Sequence, residues 1–132
     1  MVAGNSATSS LWKAVSPVAA ISRMREARLR RVFVKLSHGS SASGVVAYQM
    51  DESHEMATTT VEMVRERGEL KLYNSRIIRN YTHRWEIVEL IDALCAEGVH
   101  VEQWLPKAGV CGRAFDLRVV VIAGRARHVV VR

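Results

Sequence analysis

The order of apolar patterns along the chain predicts an α+β fold, an antiparallel sheet with flanking helices. Three observations carry that reading. Short β-branched runs bounded by Gly, Ser and Asn recur through the chain, as the strands of a meander do. Two stretches, one near the start and one at 83–98, carry apolar residues at helical spacing. The strand-like runs follow one another in hairpins, whereas a parallel sheet needs strands and helices in alternation.

Each element has a local reason. Residues 1–16 begin with the small, polar "MVAGNSATSS" and read as a disordered or linker N-terminus. Ser16 is a good N-cap and Pro17 suits a first helical position. Val18, Ile21 and Met24 then recur on one face, and arginines load the far end, where the helix dipole favours cations. A helix is expected over 17–30. Residues 32–36 and 44–50 read as a strand and its return, joined by "SHGSSAS". "ATTTVEMV" reads as a further strand, and "GELKLYNSRIIRNY" as two short strands around an Asn-Ser turn. In "HRWEIVELIDALCAEG", Ile87, Leu90, Ile91 and Leu94 form one helical face, and Gly98 falls where a C-terminal cap belongs. "VHVEQWL" is a strand, "PKAGVCGRA" a loop, and "FDLRVVVIAGRARHVVVR" two long strands about Gly124-Arg125.

The chain has 132 residues, which suits a single core. Its 48% hydrophobic and 24% charged content excludes a disordered chain. Nineteen Lys/Arg against thirteen Asp/Glu give +6, which favours an anionic partner such as a nucleotide, a nucleic acid or an acidic surface. The arginines at 23–31 read as a solvated helix face, because no aromatic residues interleave with them. Cys95 and Cys111 form neither a metal-ligand spacing nor a disulfide framework, so a reducing cytoplasm is the expected compartment. No basic-then-apolar leader opens the chain, and no apolar run approaches the ~20 residues of a membrane helix, so no membrane partner is expected. The five histidines are dispersed, and only His38 falls within a plausible site.

Three segments carry chemistry. In "VFVKLSHGSSASGV", Lys35 precedes His38, Gly39, Ser40, Ser41 and Gly44. Small residues let phosphate oxygens approach backbone N–H groups, and a lysine supplies a fixed cation. A serine-rich hairpin tip has the same composition, so this stretch by itself leaves both readings open. In "VEQWL", Glu102, Gln103, Trp104 and Leu105 end a strand, where backbone groups and apolar side chains can hold a flat ring. Trp104 would equally suit a core. In "FDLRVVV", Asp116 and Arg118 lie two apart on a strand and so share a face, with Arg132 on the neighbouring strand. Such charges are costly unless they pair or face a cleft.

In this order, from about Val32 to Arg132, the three segments resemble the ATP-grasp superfamily of ATP-dependent carboxylate–amine ligases. The first is similar to that family's strand-lysine-Gly/Ser loop, the second to its E-x-[WFY]-[LIV] connecting segment, and the third to its D-[IVL]-R hairpin with a distal arginine. The resemblance implies ATP as cofactor and unknown carboxylate and amine substrates. It assigns Lys35 to the α/β-phosphates and the loop from Gly39 to Gly44 to a flap over them. Glu102 and Gln103 would meet the adenine amino edge, with the backbone of Gln103 and Leu105 reading it. Asp116 would lie near the ribose or the substrate. Arg118 and Arg132 would be the catalytic cations that neutralise γ-phosphate and acyl-phosphate charge.

The chain departs from that pattern at Leu36, where proline is common, and at Gln103, where lysine is common. The family also uses Mg²⁺, whose Asp/Glu and Glu-x-Asn ligands would lie beyond Arg132, so the chain by itself is expected to be inactive. The implied organisation is a partial ATP-grasp-like domain over 17–132, incomplete at the C-terminal end. Residues 17–100 would form its small flap-bearing subdomain, and 101–132 the start of a second. The apolar run that reaches Arg132 looks like a sheet interrupted, and its exposed edge predicts self-association. The rival reading is a small basic α+β binding module for nucleic acid or protein without catalysis. Nucleic acid is not the expected partner.

Overall fold

The computed structural model describes residues 11–14, 16–38 and 43–132, in ten strands and two helices. In chain order they are β1 (Leu11–Ala14), α1 (Pro17–Glu26), β2 (Arg31–Leu36), β3 (Val46–Met50), β4 (Glu55–Glu66), β5 (Glu69–Tyr81), α2 (Arg84–Ala96), β6 (Val99–Gln103), β7 (Gly109–Val110), β8 (Arg113–Ala114), β9 (Leu117–Ile122) and β10 (Arg125–Val131). The class is α+β, and every strand pairing is antiparallel.

Helix α1 begins as its sequence dictates. Ser16 Oγ accepts a hydrogen bond from the Ala19 N–H at 3.2 Å, and Pro17 fills the first helical position. The helix ends four residues earlier than the expected 30. Leu29 N–H donates to Met24 O and Arg28 N–H to Arg25 O, the paired bonds of a Schellman termination. Arg28 occupies the left-handed position at φ 53°, which glycine ordinarily takes. Met24 and Leu29 join the core beneath this turn. Arg28→Gly should therefore raise stability by about 1 kcal/mol, measured as a higher urea midpoint.

The six-stranded sheet has the order β1-β6-β2-β3-β4-β5. Strands β2 to β5 form a meander, and α2 then returns the chain across the sheet to lay β6 beside β2. Alternation decides the two faces. Val32, Val34, Val46, Tyr48, Ala57, Val61, Val99 and Val101 are buried together with Met24 of α1 and Ile87, Leu90, Ile91 and Leu94 of α2. Both helices thus cover one face. Thr59 is buried there too, and its hydroxyl is satisfied by donating to Val45 O at 2.7 Å. Among the described residues the opposite face carries no helix.

Several expectations need correction. Leu11–Ala14, read as part of the linker, pairs with β6 as an edge strand. Residues 1–10 lie outside the described residues. "GELKLYNSRIIRNY" is one strand rather than a pair about Asn-Ser, because both of its halves pair with β4. The ladder does break there: Val61 pairs with Asn74 but Thr59 with Arg79, so 75–78 bulge out and leave Ile77 and Ile78 exposed. "PKAGVCGRA" is not only loop, since Gly109–Val110 pairs with Arg113–Ala114. The turn of the last hairpin centres on Ala123-Gly124, one residue earlier than expected. Ala123 and Gly124 both have positive φ, as do Arg67-Gly68 and Cys111-Gly112, the signature of two-residue turns that match strand twist.

The β9–β10 hairpin stands apart from the six-stranded sheet. Its register puts Leu117, Val119 and Val121 opposite Val131, Val129 and Ala126, giving one wholly apolar face. Val121 and Val131 are 61% and 66% exposed. Asp116, Arg118 and Arg132 share the other face, as alternation predicts, with Asp116 and Arg132 exchanging both backbone hydrogen bonds at 2.9 Å. No helix among the described residues is long and apolar enough to cross a membrane.

Candidate functional site

On the helix-free face, β2 contributes Arg31, Phe33 and Lys35, because side chains two apart share a side. Strand β6 lies antiparallel beside it, with Phe33 opposite Glu102 and Lys35 opposite His100. Trp104 continues the ladder, its N–H donating to Arg31 O at 3.1 Å. The pairing brings together residues far apart in sequence. Lys35 Nζ donates to Glu102 Oε2, and His100 Nε2 lies 3.2 Å from Glu102 Oε1. The Phe33 and Trp104 rings are 4.8 Å apart at 34°. Arg31 sits 5.6 Å over the Trp104 ring, and Lys35 Nζ is 5.6 Å from the Phe33 ring centre.

The result is a row of cation, aromatic pair and cation along an open sheet face. At ~3.4 Å per residue, Arg31 and Lys35 stand about 14 Å apart along β2. A flat ring can lie against the aromatic pair while an attached anion reaches Lys35. The Lys35–Glu102 pair is about one-third exposed on each side, so its net contribution is small, about 0–1 kcal/mol. A doubly charged phosphate can therefore displace it.

The Glu102 carboxyl is held below the usual range, first by its hydrogen bond from Lys35. Partial burial opposes this, and the Lys35 and His100 charges reinforce it. Asp51 and Glu66 are also held low, by the Ser53 and His54 N–H groups and by Lys71 respectively. For such carboxyls the unfolded chain takes up protons first as pH falls. Their stabilisation is complete above the unfolded value near ~4.3 and is lost as pH drops through the folded value. Glu102→Gln should flatten part of the acid limb below about pH 5; melting curves taken across that range measure it, and an unchanged limb would refute the role of the pair.

The structure distributes the sequence-predicted residues unevenly. Lys35, Glu102 and Trp104 share the helix-free face. Glu102 engages the Lys35 ammonium. Gln103 pairs with Val32 in register and so belongs to the helix-covered side; only its backbone remains for a ligand on the open face. Leu105 lies just past β6 and is exposed. His38 follows β2 in an exposed turn. Gly39, Ser40 and Ser41 lie outside the described residues. Gly44 has φ +69°, and a Cβ there would stand 2.6 Å from Leu36 Cδ1, so packing already requires this glycine.

Asp116 pairs with Lys107 at 2.6 Å rather than with Arg118. Among the described residues no hydrogen bond or ion pair joins Asp116, Arg118 or Arg132 to Lys35, Glu102 or Trp104. Among the described residues no group of three or more His, Cys, Asp or Glu is placed to hold a metal ion. Sequence reading passed over Phe33 and His100 and took Arg31 for part of a solvated helix face. Counting two and four residues back from Lys35 would have put Phe33 and Arg31 on its face; His100 needed the β2–β6 register.

Fold and face together define a class: an antiparallel α+β domain whose exposed sheet surface presents a cation–aromatic row. Comparison with known proteins finds no matching family model, no matching curated protein and no matching solved structure.

Proposed function

We propose that the chain is the ATP-binding portion of an ATP-grasp-type ligase that would activate a carboxylate as an acyl phosphate for attack by an amine. The observation that best supports this is the adjacency of β2 and β6. It sets the lysine of the first ATP-grasp-like segment against the glutamate of the second, 67 residues away, with Trp104 on the same open face. In this reading adenine lies against Trp104 and Phe33. The phosphates take the Lys35 ammonium from Glu102, and His100 keeps a contact with the released carboxylate. Arg118 and Arg132, side by side on one face of the last hairpin, supply charge to the transferring phosphoryl group.

A non-hydrolysable ATP analogue should raise the melting temperature by several degrees; saturation to about 100 Kd is worth ~2.7 kcal/mol. Lys35→Ala should abolish the shift and Lys35→Arg should keep part of it. The absence of any shift in the unaltered chain, or a full shift in Lys35→Ala, would sink the reading.

A further inference from the structure

The arginines that end α1 and enter β2 have no ion-pair partner among the described residues: Arg25, Arg28, Arg30 and Arg31 are all exposed and all unpaired. Acidic neighbours do exist, and most are engaged elsewhere. Asp51 Oδ1 accepts from the Ser53 and His54 N–H groups at 2.8 and 2.7 Å, Glu55 is held by Arg84, and Glu102 by Lys35. Among the described residues Glu52 is the one acid lining these clefts that makes no such contact. Two adjoining clefts of about 240 and 500 Å³ open here, and Arg30 lines both.

Arg31 lines the first cleft and also covers the Trp104 ring, so the arginine cluster runs without a break into the Trp104–Phe33 pair. Sequence alone offered no aromatic residue among these arginines. The β2–β6 pairing brings Trp104 to them, beside Phe33 of β2 itself. Free guanidinium groups leading to half-buried aromatic rings are what a single nucleic-acid strand needs, phosphates on the first and a base against the second. A duplex keeps its bases stacked and cannot use the rings. Arg28 adds a further point: it keeps a long cationic side chain at a left-handed position that glycine would occupy at lower cost.

We propose that this surface, from Arg25 and Arg28 through Arg30 and Arg31 to Trp104, binds single-stranded nucleic acid. This goes beyond ATP binding, since it uses a polymer's successive phosphates and does not require Lys35.

The test uses the whole chain and a fluorescein-labelled oligothymidylate of about 12 nucleotides, followed by anisotropy from low to moderate salt. Binding should weaken steeply with salt, with the slope reduced by about one for each phosphate-contacting arginine removed. Arg28→Gly combined with Arg30→Gln should bind several-fold more weakly at low salt. Because Arg28→Gly favours the observed turn, that loss cannot be ascribed to unfolding. Trp104→Leu, checked by melting for an intact fold, should bind at least threefold more weakly. A duplex of equal length should bind far more weakly than the single strand. No binding by the unaltered chain, equal binding by the arginine variant, or equal binding of duplex would overturn the proposal. A Lys35→Ala chain that loses its ATP response but still binds the oligonucleotide separates the two ligands.

Discussion

A Leu90→Ala chain is expected to lose about 3 kcal/mol of stability, with a melting temperature lower by roughly 10 °C. Leu90 is fully buried on α2, where Ile87, Ile91 and Leu94 complete the stripe that faces the sheet. Removing its side chain costs the transfer energy of the lost carbons and leaves a cavity that β-sheet valines cannot collapse into. With a native margin of about 5–15 kcal/mol, that is a large share. The matched control is Trp85→Ala on the same helix. Trp85 is the larger side chain but is 65% exposed, so its removal should change stability by no more than about 0.5 kcal/mol. Equal losses from the two variants in urea titrations would show that α2 does not pack as described.

The second large effect is expected at Gly44. Its φ of +69° disfavours any side chain, and an added Cβ would sit 2.6 Å from Leu36 Cδ1, 2.9 Å from Leu36 Cγ and 3.7 Å from Leu94 Cδ2. Backbone strain of about 1 kcal/mol and overpacking of about 1–2 kcal/mol together predict a loss of roughly 2–3 kcal/mol for Gly44→Ala. Gly68 separates the two contributions, because it has φ +88° but nothing within 4 Å of an added Cβ. Gly68→Ala should therefore cost only about 1 kcal/mol. If both variants lose the same amount, the contact with Leu36 contributes nothing.

Tyr48 shows how burial alone can place a group outside the functional argument. It is almost fully buried, and its hydroxyl donates to Met50 Sδ at 3.7 Å. Burial and the nearby Glu55 push the phenol's pKa well above its ordinary value. Lys35 and Glu102 differ because each is about one-third exposed and can exchange its partner for a ligand.

The local chemistry of the sequence determined where α1 starts, where the α2 stripe lies, and the antiparallel α+β class. Capping residues, 3.6-residue spacing and alternation act over a few residues, and each is visible in a short window of sequence. The same alternation placed Asp116, Arg118 and Arg132 on one face of the last hairpin. It placed Gln103 opposite Glu102 and Trp104 just as firmly, although a single strand cannot tell which side is covered. What only the tertiary structure decided was adjacency. Leu11–Ala14 gains its strand from β6, and both halves of β5 find β4 rather than each other. Lys35 meets Glu102, and Arg31 meets Trp104, because α2 carries β6 back across the sheet to lie beside β2. Register between distant strands depends on how the whole core packs, so no window around Lys35 contained the partner that lies beside it.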